Sequence, residues 1–142
     1  MVKKLSRDEG RTVIEAIKAA EKMTSGEIRV HITKKCKSNV YAEAQKVFNR
    51  LRMHRTKERN AVLIFVALES RQFAILGDSG IHRHVGDSFW DQTRDKMISC
   101  FSKDQIKEGV VAGVLNVGEK LKAYFPSAEN DSNELSNKIT EG

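Results

Sequence analysis

Eight consecutive apolar residues, Ala61 to Leu68 (Ala-Val-Leu-Ile-Phe-Val-Ala-Leu), constrain this chain more than any other segment. The run lies between Arg59-Asn60 and Glu69-Ser70. It is too short to cross a bilayer, which takes roughly 18–20 apolar residues. Its length and its branched and aromatic residues predict a strand. The lack of polar alternation predicts burial on both faces, at the centre of a sheet. Both faces of such a strand must be covered, so the chain has to supply helices on both sides.

The flanking segments meet that demand. Ser6-Arg7-Asp8-Glu9 reads as a capping box, with Val13, Ile14, Ile17 and Ala20 following at helical spacing. Thr24-Ser25-Gly26 is predicted to stop this helix, Gly26 taking a left-handed turn. Ile28, Val30 and Ile32 alternate with Glu27, Arg29, His31 and Thr33, a strand with one apolar face. Val40 to Leu51 returns to helical spacing. After the central strand, Glu69 to Gln72 is a short turn, so Phe73–Gly77 is predicted to run antiparallel to it. Asp78-Ser79-Gly80 reads as a loop. Val85 to Phe101 outlines a third helix starting near Asp87 or Ser88, and Ser102-Lys103-Asp104-Gln105 reads as a second capping box. That box opens a long helix from Ile106 to Phe125, closed by Pro126. Gly109, Gly113 and Gly118 weaken this helix, each by up to about 1 kcal/mol, and imply close backbone approach to a neighbour. The order is α-β-α-β-β-α-α. The expected fold is a three-layer α/β/α sandwich on a small mixed sheet.

At 142 residues the chain can bury one real core. With 39% hydrophobic residues, 31% charged residues and one proline, it is neither disordered nor collagenous. The predicted domain is 1–126. Residues 127–142, rich in Ser, Asn and Glu, are expected to be a disordered acidic tail. Four acidic residues against Lys138 in that tail leave 24 basic and 15 acidic residues in 1–126. No apolar stretch follows the basic N-terminus, and Cys36 and Cys100 make no disulfide framework. A cytoplasmic location is the expectation.

The topology itself proposes a site. The first two strands begin, and the third ends, at one end of the sheet, which gathers Glu27, Asn60 and Asp78 on one rim. Two carboxylates and an amide oxygen suit a hard cation, Ca²⁺ or Mg²⁺. Glu108 is a fourth candidate. The structural alternative pairs Glu27 with Arg29 or Arg59, has Asn60 cap a strand end and has Asp78 close an Asx-turn. A zinc site from His82, His84 and a cysteine matches no standard spacing. Cys36, among Lys34, Lys35 and Lys37, has surroundings that favour a thiolate. His31, on the polar phase of its strand, reads as a surface or hydrogen-bonded residue. No Ser-His-Asp, Walker or dinucleotide motif is present.

Thr24-Ser25-Gly26-Glu27-Ile28-Arg29-Val30, Arg59-Asn60-Ala61-Val62-Leu63-Ile64-Phe65 and Arg71-Gln72-Phe73-Ala74-Ile75-Leu76-Gly77-Asp78-Ser79-Gly80-Ile81 together resemble the TPM domain family. Val85-Gly86-Asp87-Ser88-Phe89-Trp90 and Glu108 to Val114 fit the same pattern. The name abbreviates a thylakoid lumenal protein, a photosystem II repair protein and a nematode receptor modulator. The resemblance implies an α/β/α sandwich. It also implies divalent-metal binding, calcium above all, which carried over residue by residue falls on Glu27, Asn60 and Asp78. Plant lumenal members are associated with acid phosphatase activity. Many members carry an export signal, a membrane helix or a glycine-rich tail, none of which is seen in this sequence. Ala61 stands where a glycine often follows the asparagine.

Three functions follow, in order. The first is a metal-binding accessory domain contacting an unidentified protein partner. The second is a metal-assisted phosphatase with Arg29, Arg59 and Arg71 as a phosphate clamp. The third is a nucleic-acid binder using the basic stretch Arg50 to Arg59. No aromatic residue interleaves that stretch, which weighs against nucleic acid.

Overall fold

The computed structural model describes residues 5–127 and 139–141. Helix α1 (Arg7–Glu21) opens with the expected capping box. The Ser6 hydroxyl accepts from the Glu9 N–H at 3.2 Å, and the Glu9 carboxylate accepts from the Ser6 N–H at 3.0 Å. Strand β1 (Ile28–Thr33), helix α2 (Val40–Arg50) and strand β2 (Val62–Ala67) form a β-α-β unit, and β1 and β2 are parallel. Strand β3 (Gln72–Gly77) returns antiparallel to β2.

All six residues of β2 are buried. Val62, Ile64 and Val66 share a core with Val13 and Ile17 of α1 and with residues of the C-terminal helices. Leu63 and Phe65 pack on the other face with Ala44, Val47 and Phe48 of α2. The sheet is thus covered on both sides, as the unbroken apolar run requires.

After β3 the chain departs from the expected path. Asp78-Ser79-Gly80 is not a loop: Asp78 caps a short helix, α3 (Ser79–His82). The predicted third helix is split into a 3-10 turn at Asp87–Trp90 and helix α4 (Asp91–Phe101). The second capping box does not form. The Ser102 N–H still bonds the Ile98 carbonyl at 2.9 Å, so Ser102 is used in ending α4. Helix α5 (Ile106–Lys122) then starts with no side-chain cap. Helix α1 ends at Glu21, and no glycine among the described residues has a positive φ, so Gly26 does not make the left-handed turn. Gly26 is there for space: a Cβ would lie 2.7 Å from Leu121 Cδ1. The close approach implied by the α5 glycines does occur. A Cβ on Gly113 would meet Met97 Sδ at 2.5 Å, one on Gly118 would meet Ala20 Cβ at 2.8 Å, and Gly109 faces the Phe101 ring.

The sheet has a fourth strand that the sequence reading lacks. Strand β4 (Thr140–Glu141) pairs parallel to β1, giving the order β3-β2-β1-β4. Of the expected tail, residues 128–138 and 142 lie outside the described residues, and its end is part of the sheet. His31 holds it there. The Thr140 hydroxyl donates to the Val30 carbonyl at 3.3 Å, so it accepts from His31 Nδ1–H at 2.8 Å. The imidazole is buried and stacks on Phe65 with centroids 5.5 Å apart. Replacing Thr140 with valine leaves a buried N–H unsatisfied. It is expected to cost about 1–2 kcal/mol and to speed amide exchange at His31 and Ile32. Unchanged exchange there would show that the hydroxyl does not hold β4.

Candidate functional site

The register Ile28↔Val62↔Gly77 places Glu27, Ala61 and Asp78 side by side at one end of the sheet. The ladder continues past the strands. The Val62 N–H donates to the Glu27 carbonyl at 2.8 Å, and the Asp78 N–H to the Ala61 carbonyl at 2.9 Å. Glu27, Asn60 and Asp78 are therefore close along one rim, and all three are buried. Their side chains are committed differently.

Asp78 is gripped by Arg59. Nε donates to Oδ2 at 2.8 Å and a terminal nitrogen donates to Oδ1 at 3.0 Å, a bidentate fork. Oδ1 also accepts the Ser79 N–H at 2.7 Å, capping α3. The fork raises the pKa of Arg59. Arg59 itself has a left-handed backbone, φ 54°. Gly80 lets α3 come this close, donating its N–H to the Arg59 carbonyl at 2.8 Å. Both Asp78 oxygens are in charge-assisted bonds, so a cation could use this carboxylate only by displacing Arg59.

Asn60 is 1% exposed. Its Nδ2 donates to Ser25 Oγ at 3.2 Å and to Glu58 Oε2 at 3.3 Å. The Glu58 carboxylate can only accept, which fixes the orientation of the amide. Asn60 Oδ1 then lies on the other side, buried and without a hydrogen-bond partner.

Glu27 lies against Glu21, the last residue of α1. Glu21 Oε2 accepts the Ile28 N–H at 2.9 Å. Burial, above all, pushes the Glu21 carboxyl up to about 8. The Ile28 N–H opposes the rise, and the hydrogen bond and charge of Glu27 add to it. At neutral pH the two glutamates thus share a proton, Glu21 donating to Glu27. The sequence reading missed Glu21 because it continues the polar face of α1. One signal was available: a carboxylate in the last turn of a helix opposes the helix dipole, so it needs another reason to be there.

Glu108 is not at this rim. It lies in the first turn of α5, which starts beside Phe73 and Leu68 at the other end of the sheet and reaches the rim only at Leu121, against Gly26. It pairs with Lys107 at 3.6 Å. Nor are the three arginines brought together. Arg59 precedes β2 and Arg71 follows it, so the six residues of β2, roughly 20 Å, separate them. Arg29, on β1, has a buried Nε without a hydrogen-bond partner, and burial lowers its pKa.

His31 is held down to about 4 by burial first and then by the charges of Arg50 and Arg29, and is neutral. His84 stacks on Tyr124 with centroids 5.7 Å apart, and Cys36 Sγ contacts the Ser38 carbonyl at 3.1 Å. Among the described residues no group of three or more His, Cys, Asp or Glu side chains is arranged to hold a metal ion. The Glu21–Glu27 pair and Asn60 Oδ1 are oxygen donors at the rim, beside the Glu58 carboxylate that accepts from Asn60 and Ser25, and oxygens fit a hard cation in kind. No helix among the described residues is long and apolar enough to cross a membrane.

The chain is similar to BA42, a protein of the psychrophilic bacterium Bizionia argentinensis known from an NMR structure. The two are 43% identical with a TM-score of 0.92, over 97% of this chain and 95% of that one. The N-terminal domain of a P. gingivalis protein shares the fold at 20% identity and TM-score 0.68, over 85% of this chain and 78% of that one. So does the N-terminal domain of the cg2496 protein of Corynebacterium glutamicum, at 15% identity and TM-score 0.66, over 98% and 82%. No curated protein matches in sequence. The family model described as the TPM domain matches residues 2–120, all the sheet except β4 and nearly all of α5 included, and the chain belongs to that family.

Proposed function

We propose that this TPM domain is a divalent-cation-binding accessory domain, with Ca²⁺ or Mg²⁺ held at the rim. Glu27 and Asn60 supply oxygens, Glu21 assists, and the loaded rim contacts a protein partner. One observation carries the reading. Asn60 Oδ1 is buried without a hydrogen-bond partner, one strand over from the buried Glu27 and its half-buried neighbour Glu21. Such an oxygen costs about 1–3 kcal/mol unless something fills its vacant acceptor site, and a hard cation does so. Asp78 has a different part in this reading. Its fork with Arg59 fixes the Asn60 segment against α3, so it positions the rim and does not ligate.

A metal-assisted phosphatase ranks second. It needs a phosphate clamp, yet Arg59 is engaged by Asp78 and Arg71 is at the far end of β2. Protonated Glu21 beside Glu27 has the form of a general acid, but among the described residues no nucleophile is placed for it to assist.

The test is a Ca²⁺ and Mg²⁺ titration followed by amide shifts. Saturable shifts at Glu21, Glu27 and Asn60 are expected, weakened at least about tenfold in Glu27→Gln, which removes a carboxylate ligand. A flat response at these residues, or shifts confined to the acidic residues of 129–134, rejects the reading.

A further inference from the structure

At the end of the sheet opposite the rim, a pocket of about 270 Å³ opens between the end of β2, the start of β3 and the α4–α5 corner. Its wall is apolar, made by Phe73, Ile98, Phe101 and Ile106. Phe73 and Phe101 meet edge to face with centroids 5.2 Å apart, and Ile98 is 51% exposed.

Arg71 and Asp104 stand on its lip, both exposed. Both have left-handed backbones, φ 52° and φ 58°. Arg71 closes the β2–β3 turn, its N–H reaching the Leu68 carbonyl at 3.3 Å. A left-handed residue at that place in a hairpin favours glycine or asparagine. Asp104 follows α4. Its N–H reaches the Phe101 carbonyl and that of Gln105 the Cys100 carbonyl, each at 3.0 Å. This Schellman arrangement also favours glycine.

At the two points where the backbone beside this pocket asks for glycine, the chain therefore carries a cation and an anion. Neither is in an ion pair among the described residues. Strain of this kind collects where side chains serve a ligand.

We infer that the pocket binds a free apolar α-amino acid. The side chain fills the apolar wall, the α-carboxylate pairs with Arg71 and the α-ammonium pairs with Asp104. An apolar pocket with a few convergent polar groups at its mouth is the usual form of a small-molecule site, and charge-assisted bonds at both ends select a zwitterion. The inference is independent of any cation at the rim.

The probes are L-phenylalanine and L-leucine, followed by amide and methyl shifts. Octanoate lacks the ammonium and octylamine lacks the carboxylate. Arg71→Gly and Asp104→Gly are the variants. Each gives the backbone the residue its φ favours, so each should melt no more than about 2 °C below the wild-type chain, or above it. Saturable shifts at Phe73, Ile98, Phe101 and Ile106 are expected with both amino acids. Affinity should fall at least about tenfold in either glycine variant, and octanoate and octylamine should bind more weakly than L-phenylalanine. The inference is overturned by the absence of saturable shifts at millimolar amino acid. Octanoate or octylamine binding as tightly as L-phenylalanine also overturns it, as does affinity unchanged in either glycine variant. A clear fall in melting temperature in either variant would remove its premise.

Discussion

Replacing Gly80 with alanine is expected to destabilise the domain by about 3–5 kcal/mol, lowering the melting temperature by about 10–17 °C. The new methyl would overlap the Glu58 carbonyl oxygen and lie 2.5 Å from the Arg59 carbonyl oxygen. These are backbone atoms and cannot rotate away. They are also fixed by their surroundings: the Arg59 carbonyl accepts the Gly80 N–H at 2.8 Å, and the Arg59 side chain is forked on Asp78. Relief would require lifting α3 off the β2 entry, which breaks the fork and bares the Asp78 carboxylate. Gly113→Ala should cost less, because its obstacle is the flexible side chain of Met97. Gly86→Ala, with nothing within 4 Å of its Cβ, should fall within about 0.5 kcal/mol of the parent. Urea unfolding of the three variants measures the series. A Gly80→Ala loss below about 1 kcal/mol would mean that the α3 junction is looser than the contacts indicate.

The sandwich was legible because its central strand carries an unambiguous signal. A run with no polar alternation must be covered twice, and the helical periods on either side supply the cover. The rim was legible for the same reason, since strand directions alone bring Glu27, Asn60 and Asp78 to one end. What those side chains bond to was not. Arg59 and Asp78 are 19 residues apart, and nothing local says that a left-handed arginine will turn its guanidinium onto a helix cap. Ser102-Lys103-Asp104-Gln105 fits a helix start by its residue types. The same residues can also end the preceding helix, and packing of Phe101 against Gly109 decides for the ending. Two residues cannot show a strand period, so β4 is visible only through the hydroxyl of Thr140 and its bond to His31, 109 positions away. Most of the Arg50 to Arg59 stretch is exposed, with Met53 and Thr56 as its buried anchors.

Stability measured against pH in EDTA is expected to be highest and nearly level between about pH 4.5 and 6.5 and to fall toward pH 8, a fall that Glu21→Gln removes. Glu21 titrates at about 8 in the folded chain against an ordinary value of 4.5. The native state therefore holds a proton that the unfolded state has released. Its contribution is complete below 4.5 and is lost as pH rises through 8. His31 acts in the opposite sense. It titrates at about 4 against 6.5 when free, so its contribution is complete above 6.5 and is lost as pH falls through 4. Between about 4.5 and 6.5 the two slopes oppose each other and largely cancel. Between 6.5 and 8 only Glu21 still titrates. A full shift would give up to about 1.4 kcal/mol per pH unit. Partial exposure of the Glu21 carboxyl reduces the expected loss over that interval to about 1 kcal/mol. Glutamine at position 21 keeps the donor to Glu27 without the titration, so its profile should be flat above 6.5. His31→Gln should remove the acid limb and leave the descent above 6.5 in place. Parallel profiles for the wild-type chain and Glu21→Gln between pH 6.5 and 8 would show that the two glutamates do not share a proton.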